Sequence, residues 1–83
     1  MTQQPVEQSN TYTTADLGLS TALLCVGLAL IDLDRSNPRK VRFIFGDQVL
    51  AARYENEFWS DRLNVNARAY FDNMKMLKAR IYG

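Results

Sequence analysis

The segment Arg35-Ser36-Asn37-Pro38-Arg39-Lys40-Val41-Arg42 places four cations within eight residues and runs straight into Phe43-Ile44-Phe45. Cations at this density suit phosphate contact. Aromatic residues interleaved with them on a strand are the composition by which sheet-based modules hold single strands, with charges following the phosphates and rings stacking on bases. A plainer reading buries Phe43 and Phe45, because a strand of period two must turn one face to the core and the aromatic face is the natural choice. Binding then rests on Arg35, Arg39, Lys40 and Arg42, on a protruding hairpin that lies along phosphates without stacking. A second basic set, Arg68, Lys75, Lys78 and Arg80, occupies the last helical segment, with Asp72 the one acid among them. Arg68, Asp72 and Lys75 fall at i, i+4 and i+7, so local pairing engages part of this charge. Arg68, Lys75 and Lys78 are the supporting contacts of the nucleic-acid reading.

Other chemistry has less to stand on. Asp32-Leu33-Asp34 sets two carboxylates on one strand face, a pattern that can hold Mg²⁺. Such a site needs a third ligand or a substrate phosphate, and Asp47 is the obvious extra carboxylate. The simpler expectation is an acidic strand end facing Arg39 and Lys40 across the turn. With a single Cys and no His, an internal disulfide, an ordinary zinc site, and Ser-His or Cys-His nucleophiles are all ruled out. A Walker loop and a GxGxxG turn are missing as well. Cys25 lies among Leu23, Leu24 and Val26 and reads as a small core residue, since a reactive thiol wants an electropositive, partly exposed setting. The expectation is a protein that is not an enzyme and takes neither cofactor nor metal.

The charges are sorted along the chain. Residues 1 to 34 hold Glu7, Asp16, Asp32 and Asp34 with no base, whereas residues 35 to 83 hold all ten bases against five acids. Such asymmetry marks a polyanion-binding face. At 83 residues with 47% hydrophobic residues, the chain has the composition of one small globular domain. The longest uncharged run, residues 17 to 31, is short of the roughly 20 apolar residues of a membrane span. No base precedes it to start a secretory signal. The expected setting is cytoplasmic, with no membrane association.

The elements that must carry the basic hairpin follow from periodicity and punctuation. Residues 1 to 11 lack an apolar pattern and are expected as a disordered tail, leaving 12 to 83 as one α+β domain. Thr13 and Asp16 form a variant capping box, with Tyr12 and Leu17 at the staple positions. Leu19, Ala22, Leu23 and Val26 then recur at helical spacing, until Gly27 ends the helix. Ala29, Ile31 and Leu33 alternate as a strand face, Asp34 to Arg39 is a turn, and Val41, Phe43 and Phe45 form the facing strand. Asp47 caps a second helix from about Gln48 carrying Leu50, Tyr54 and Phe58. Asn66 caps a third, along which Tyr70, Met74, Leu77 and Ile81 trace one stripe. Residues 55 to 65 read equally as continued helix or as loop. The expected architecture is thus an N-terminal helix, a two-stranded antiparallel β-hairpin and two helices. An isolated hairpin is marginal in water, so pairing of two hairpins across a twofold axis, as a homodimer, is expected to extend the sheet.

Residues 12 to 27, the hairpin ending Val41-Arg42-Phe43-Ile44-Phe45, and the closing run from Tyr70 to Ile81 resemble an uncharacterised family of small bacterial and phage proteins. The resemblance implies a compact helix-hairpin-helix domain in a phage or mobile-element setting, where small proteins bind nucleic acid or block a host factor. Two function classes follow. One is an accessory protein that binds DNA or RNA through the basic hairpin. The other is a protein-interaction module, an inhibitor of a host defence factor or an assembly partner, contacting its host protein through the acidic first part and an exposed sheet edge. Binding to mixed-sequence nucleic acid that weakens steeply with salt distinguishes the first from the second.

Overall fold

The structure is a computed structural model that describes residues 10–82. The tail expected over residues 1 to 11 therefore falls almost wholly outside the described residues. Within them the order is β1 (Thr11–Thr14), α1 (Leu17–Cys25), β2 (Leu30–Asp34), β3 (Arg42–Gly46), α2 (Gln48–Trp59) and α3 (Ala67–Tyr82). The α+β class is as expected, but the sheet has three antiparallel strands in the order β1-β3-β2 rather than two.

The additional strand comes from residues read above as a helix cap. Thr11-Tyr12-Thr13-Thr14 is a run of β-branched and aromatic residues that suits a half-buried strand, and Tyr12 pairs with Phe45. Asp16 is itself the N-cap of α1: its Oδ1 accepts from the Leu19 amide at 2.7 Å. Thr14 Oγ1 accepts from the Asp16 amide at 3.1 Å and so joins strand to cap. With β1 in place, β3 is flanked on both sides from within one chain. The insufficiency of a two-stranded sheet, which was the ground for twofold pairing, is gone.

Helix α1 forms the centre. Leu19 to Leu23 are five consecutive buried residues, so the helix is enclosed on nearly all sides rather than on one stripe. Two of them are polar and are satisfied locally: Ser20 Oγ donates to the Asp16 carbonyl and Thr21 Oγ1 to the Leu17 carbonyl, each at 2.8 Å. Its end is a Schellman motif, with the Leu28 amide donating to the Leu23 carbonyl and the Gly27 amide to the Leu24 carbonyl, both at 3.0 Å. Gly27 has φ +98°, the left-handed geometry this motif requires and glycine adopts without strain. Close packing fixes a second glycine: the Tyr70 hydroxyl donates to the Gly18 carbonyl at 3.2 Å, and a Cβ at Gly18 would stand 3.3 Å from that oxygen.

The inner sheet face presents Phe43 and Phe45, both buried, to Leu19, Leu23, Leu28, Ala51 and Leu77. Tyr12, Leu30 and Leu33 pack around them. Burial, followed by a hydrogen bond to Glu55 and that carboxylate's charge, pushes the Tyr12 hydroxyl up to about 12. The strict alternation expected for β2 is broken: Leu30 pairs with Phe45 and Asp32 with Ile44, leaving a bulge at Ile31. Ile31 is consequently 57% exposed instead of facing the core, because a bulged residue leaves the two-residue repeat. Asp47 caps α2 from φ 59°, its Oδ1 accepting from Leu50. That helix continues to Trp59, and residues 60–66 form the link to α3. Asn66 Oδ1 accepts from the Ala69 amide at 2.9 Å, as a cap should.

Candidate nucleic-acid interface

The loop between β2 and β3 is held in shape by its own side chains. Asp34 Oδ1 accepts from the Ser36 amide at 2.9 Å and Asn37 Oδ1 from the Arg39 amide at 3.0 Å. The Lys40 amide closes the turn onto the Asn37 carbonyl at 3.0 Å, with Pro38 at the position whose fixed φ favours it. The Ser36 amide and hydroxyl, helped by the charge of Arg42, hold the Asp34 carboxyl below its ordinary range. Asp34 is the cross-strand partner of Arg42, so the acidic strand end faces Arg42 rather than Arg39 and Lys40. Asp32 accepts from the Leu33 amide at 2.7 Å. No group of three or more His, Cys, Asp or Glu among the described residues could hold a metal ion.

Arg35 has a different place from its neighbours. Its guanidinium reaches back to the end of α3, donating from one nitrogen to the Ile81 carbonyl at 3.2 Å and from the other to the Arg80 carbonyl. A cation there meets the unsatisfied carbonyls and the negative end of the helix dipole. Arg35 therefore ties the hairpin loop to the helix. The expected consequence of Arg35→Gln is a loss of about 1 kcal/mol of stability, the usual scale of an exposed charged helix cap, read as a lower midpoint in thermal denaturation. An unchanged melt would mean that the two elements meet without it.

That tie brings together two sets of bases that are far apart in sequence. Arg39, Lys40 and Arg42 are exposed on the loop and its strand end, and Lys78 and Arg80 are exposed in the last turns of α3. Between loop and helix lies an open groove of about 290 Å³. Leu17, Val41, Phe43 and Ile81 supply its apolar lining, Arg39 and Lys40 its cations, and Tyr82 an aromatic ring. The first two members of the second set, Arg68 and Lys75, are placed further back along the helix. Arg68, at the opposite end of α3, lies 3.9 Å from the Asp72 carboxylate, and Lys75 lies over the Phe71 ring at 5.2 Å.

Phe43 and Phe45 are 1% and 0% exposed, so the hairpin offers neither ring for stacking, as the reading that buries them expects. The exposed rings near the bases are instead Phe71 and Tyr82, at 61% and 83%, neither of which was singled out from the sequence. The signal existed: Phe71, Lys75, Lys78 and Tyr82 fall at i, i+4, i+7 and i+11 and so share a stripe. It runs beside the core stripe of Tyr70, Leu77 and Ile81, which drew the reading of this helix inward. Cys25 is half-buried, its Sγ 3.5 Å from the Asn73 side-chain amide. No helix among the described residues is long and apolar enough to cross a membrane.

Comparison with curated proteins and with solved structures finds no match. A family model does match, over residues 9–83, and covers every element described above. The chain belongs to the family described as domain of unknown function DUF5659.

Proposed function

We propose that this chain is a small non-catalytic accessory module that binds nucleic acid, in a phage or mobile-element setting, through the end of the molecule where the β2–β3 loop meets the last turn of α3. The observation that carries the reading is the groove itself. Arg39 and Lys40 line it, Arg42 is exposed on the strand end that follows them, and Lys78 and Arg80 are exposed on the last turns of α3. Cations on a rigid loop are positioned for phosphates without the cost of ordering a flexible one. The carbonyls at the end of α3, which would repel an anion, are covered by Arg35. Arg39, Lys40, Arg42 and Lys78 are the contact residues of this reading, while Arg35 positions the loop. Arg68, paired with Asp72 at the far end, contributes through the general field only.

The test is binding of mixed-sequence DNA and RNA across a salt series. Phosphate contact by four or five cations gives a plot of log affinity against log salt with a slope of about −3 to −4.5, since each neutralised phosphate contributes about 0.7 to 0.9. Absence of retention even at about 50 mM salt, where such binding is strongest, would leave the loop as a solvated turn. The domain would then be a protein-interaction module, the second class expected from the sequence.

A further inference from the structure

We infer that the nucleic acid this surface takes is a single strand, laid along the exposed Phe71-Lys75-Lys78-Tyr82 stripe of α3 and into the groove beside Arg39 and Lys40. This rests on the nucleic-acid reading above and narrows it. The phosphates of a duplex are accessible from outside, but its base faces are stacked on one another, so exposed rings gain nothing from it. A single strand presents a π-face at every base, and aromatic side chains between cations are the means of holding it. Here two rings bracket two cations on one helix face. Phe71 and Tyr82 are the ends of one stripe, with Lys75 and Lys78 between them. At about 1.5 Å per helical residue they are roughly 16 Å apart along the axis. Tyr82 also lines the groove with Arg39 and Lys40, so the stripe and the hairpin cations form one continuous track.

The hairpin's own rings are closed to a ligand, because Phe43 and Phe45 are in the core. Neither Phe71, whose ring carries Lys75, nor Tyr82 belongs to the core of the described residues, to which α3 contributes Leu77 and Ile81. Charge complementarity selects the occupant, since a stripe with two lysines leading to Arg39 and Lys40 suits a polyanion with apolar faces rather than an uncharged apolar segment.

The experiment compares a labelled oligothymidine of about 12 nucleotides, within the site sizes of small single-strand binders, with a duplex of equal length and an abasic strand, by fluorescence anisotropy. The wild type is expected to hold oligothymidine more tightly than either. Phe71→Leu and Tyr82→Leu should each weaken that binding roughly 5- to 150-fold, the range for loss of one stacked base. Duplex affinity and the salt slope should not change, because no charge is removed. Phe71→Tyr and Tyr82→Phe keep a ring and should bind as wild type, with thermal melts of all four variants alike. If the leucine variants hold oligothymidine as well as the wild type does, or lose duplex and single strand equally, the single-strand assignment is wrong although the nucleic-acid reading stands. If the wild type retains none of the probes, the nucleic-acid reading itself falls and this inference goes with it.

Discussion

Replacing Arg39, Lys40 and Arg42 together by glutamine is expected to cost on the order of a thousandfold in affinity for nucleic acid at about 50 mM salt, and very little near 1 M. The magnitude follows from counterion release. Three lost phosphate contacts flatten the slope of log affinity against log salt by about two to three units, and the lines for wild type and variant converge as the salt approaches the reference concentration. All three side chains are exposed, and the turn is held by Asn37, Pro38 and backbone amides rather than by these cations. Stability should therefore change by no more than about 0.5 kcal/mol for each. The measurement is a titration at four or five salt concentrations beside a circular dichroism melt. An affinity loss that is the same at every salt concentration would point to a disturbed loop rather than to removed phosphate contacts.

Phe45→Ala is expected to remove about 3 to 5 kcal/mol of stability, as large-to-small changes of buried aromatic residues do. Phe45 is 0% exposed on the central strand, with Tyr12 opposite on one side and Leu30 on the other. The cavity would open between the sheet and α1, where the rigid flanking strands allow little collapse. A domain of this size has on the order of 4 to 12 kcal/mol in total, so the midpoint should fall by more than about 12 °C. Ile44→Ala, on the same strand but half-buried on the other face, is the control and should cost about 1 kcal/mol or less. Equal effects at the two positions would be incompatible with helices covering one face of the sheet.

Signals confined to a few neighbouring residues were readable from the sequence. Asp47 and Asn66 cap helices whose amides lie three residues on, and Gly27 takes the φ that its own position demands. Alternation alone puts Phe43 and Phe45 on one strand face, which is the buried one. What escaped reading depends on partners distant in the chain. Thr13 and Thr14 have side chains equally suited to a cap or to a strand, and the choice is made by β3, about thirty residues later. Arg35 stood among bases and was grouped with them; its carbonyl partners lie 45 and 46 residues away. The bulge at Ile31 is a compromise between a hydrophobic alternation and a sheet register, and only the register reveals it. Phe71 and Tyr82 carried a clear helical spacing, but spacing alone does not say which of two adjacent stripes is buried.

The order β1-β3-β2 also governs how the molecule can come into being. The central strand is the last of the three to leave the ribosome, and neither earlier strand is the other's neighbour. Until residues 42 to 46 emerge, β1 and β2 have no hydrogen-bonding partner anywhere in the sheet, and no pairing can be completed early. A fragment that stops before Arg42 retains two of three strands and none of the ladder, so the smallest piece able to form this sheet runs from Thr11 to Gly46. The same piece contains the turn bearing Arg39 and Lys40, while the helix end to which Arg35 anchors that turn follows all the other described elements in the chain. During synthesis the sheet can therefore close before the groove exists, and the basic surface is completed only when α3 docks.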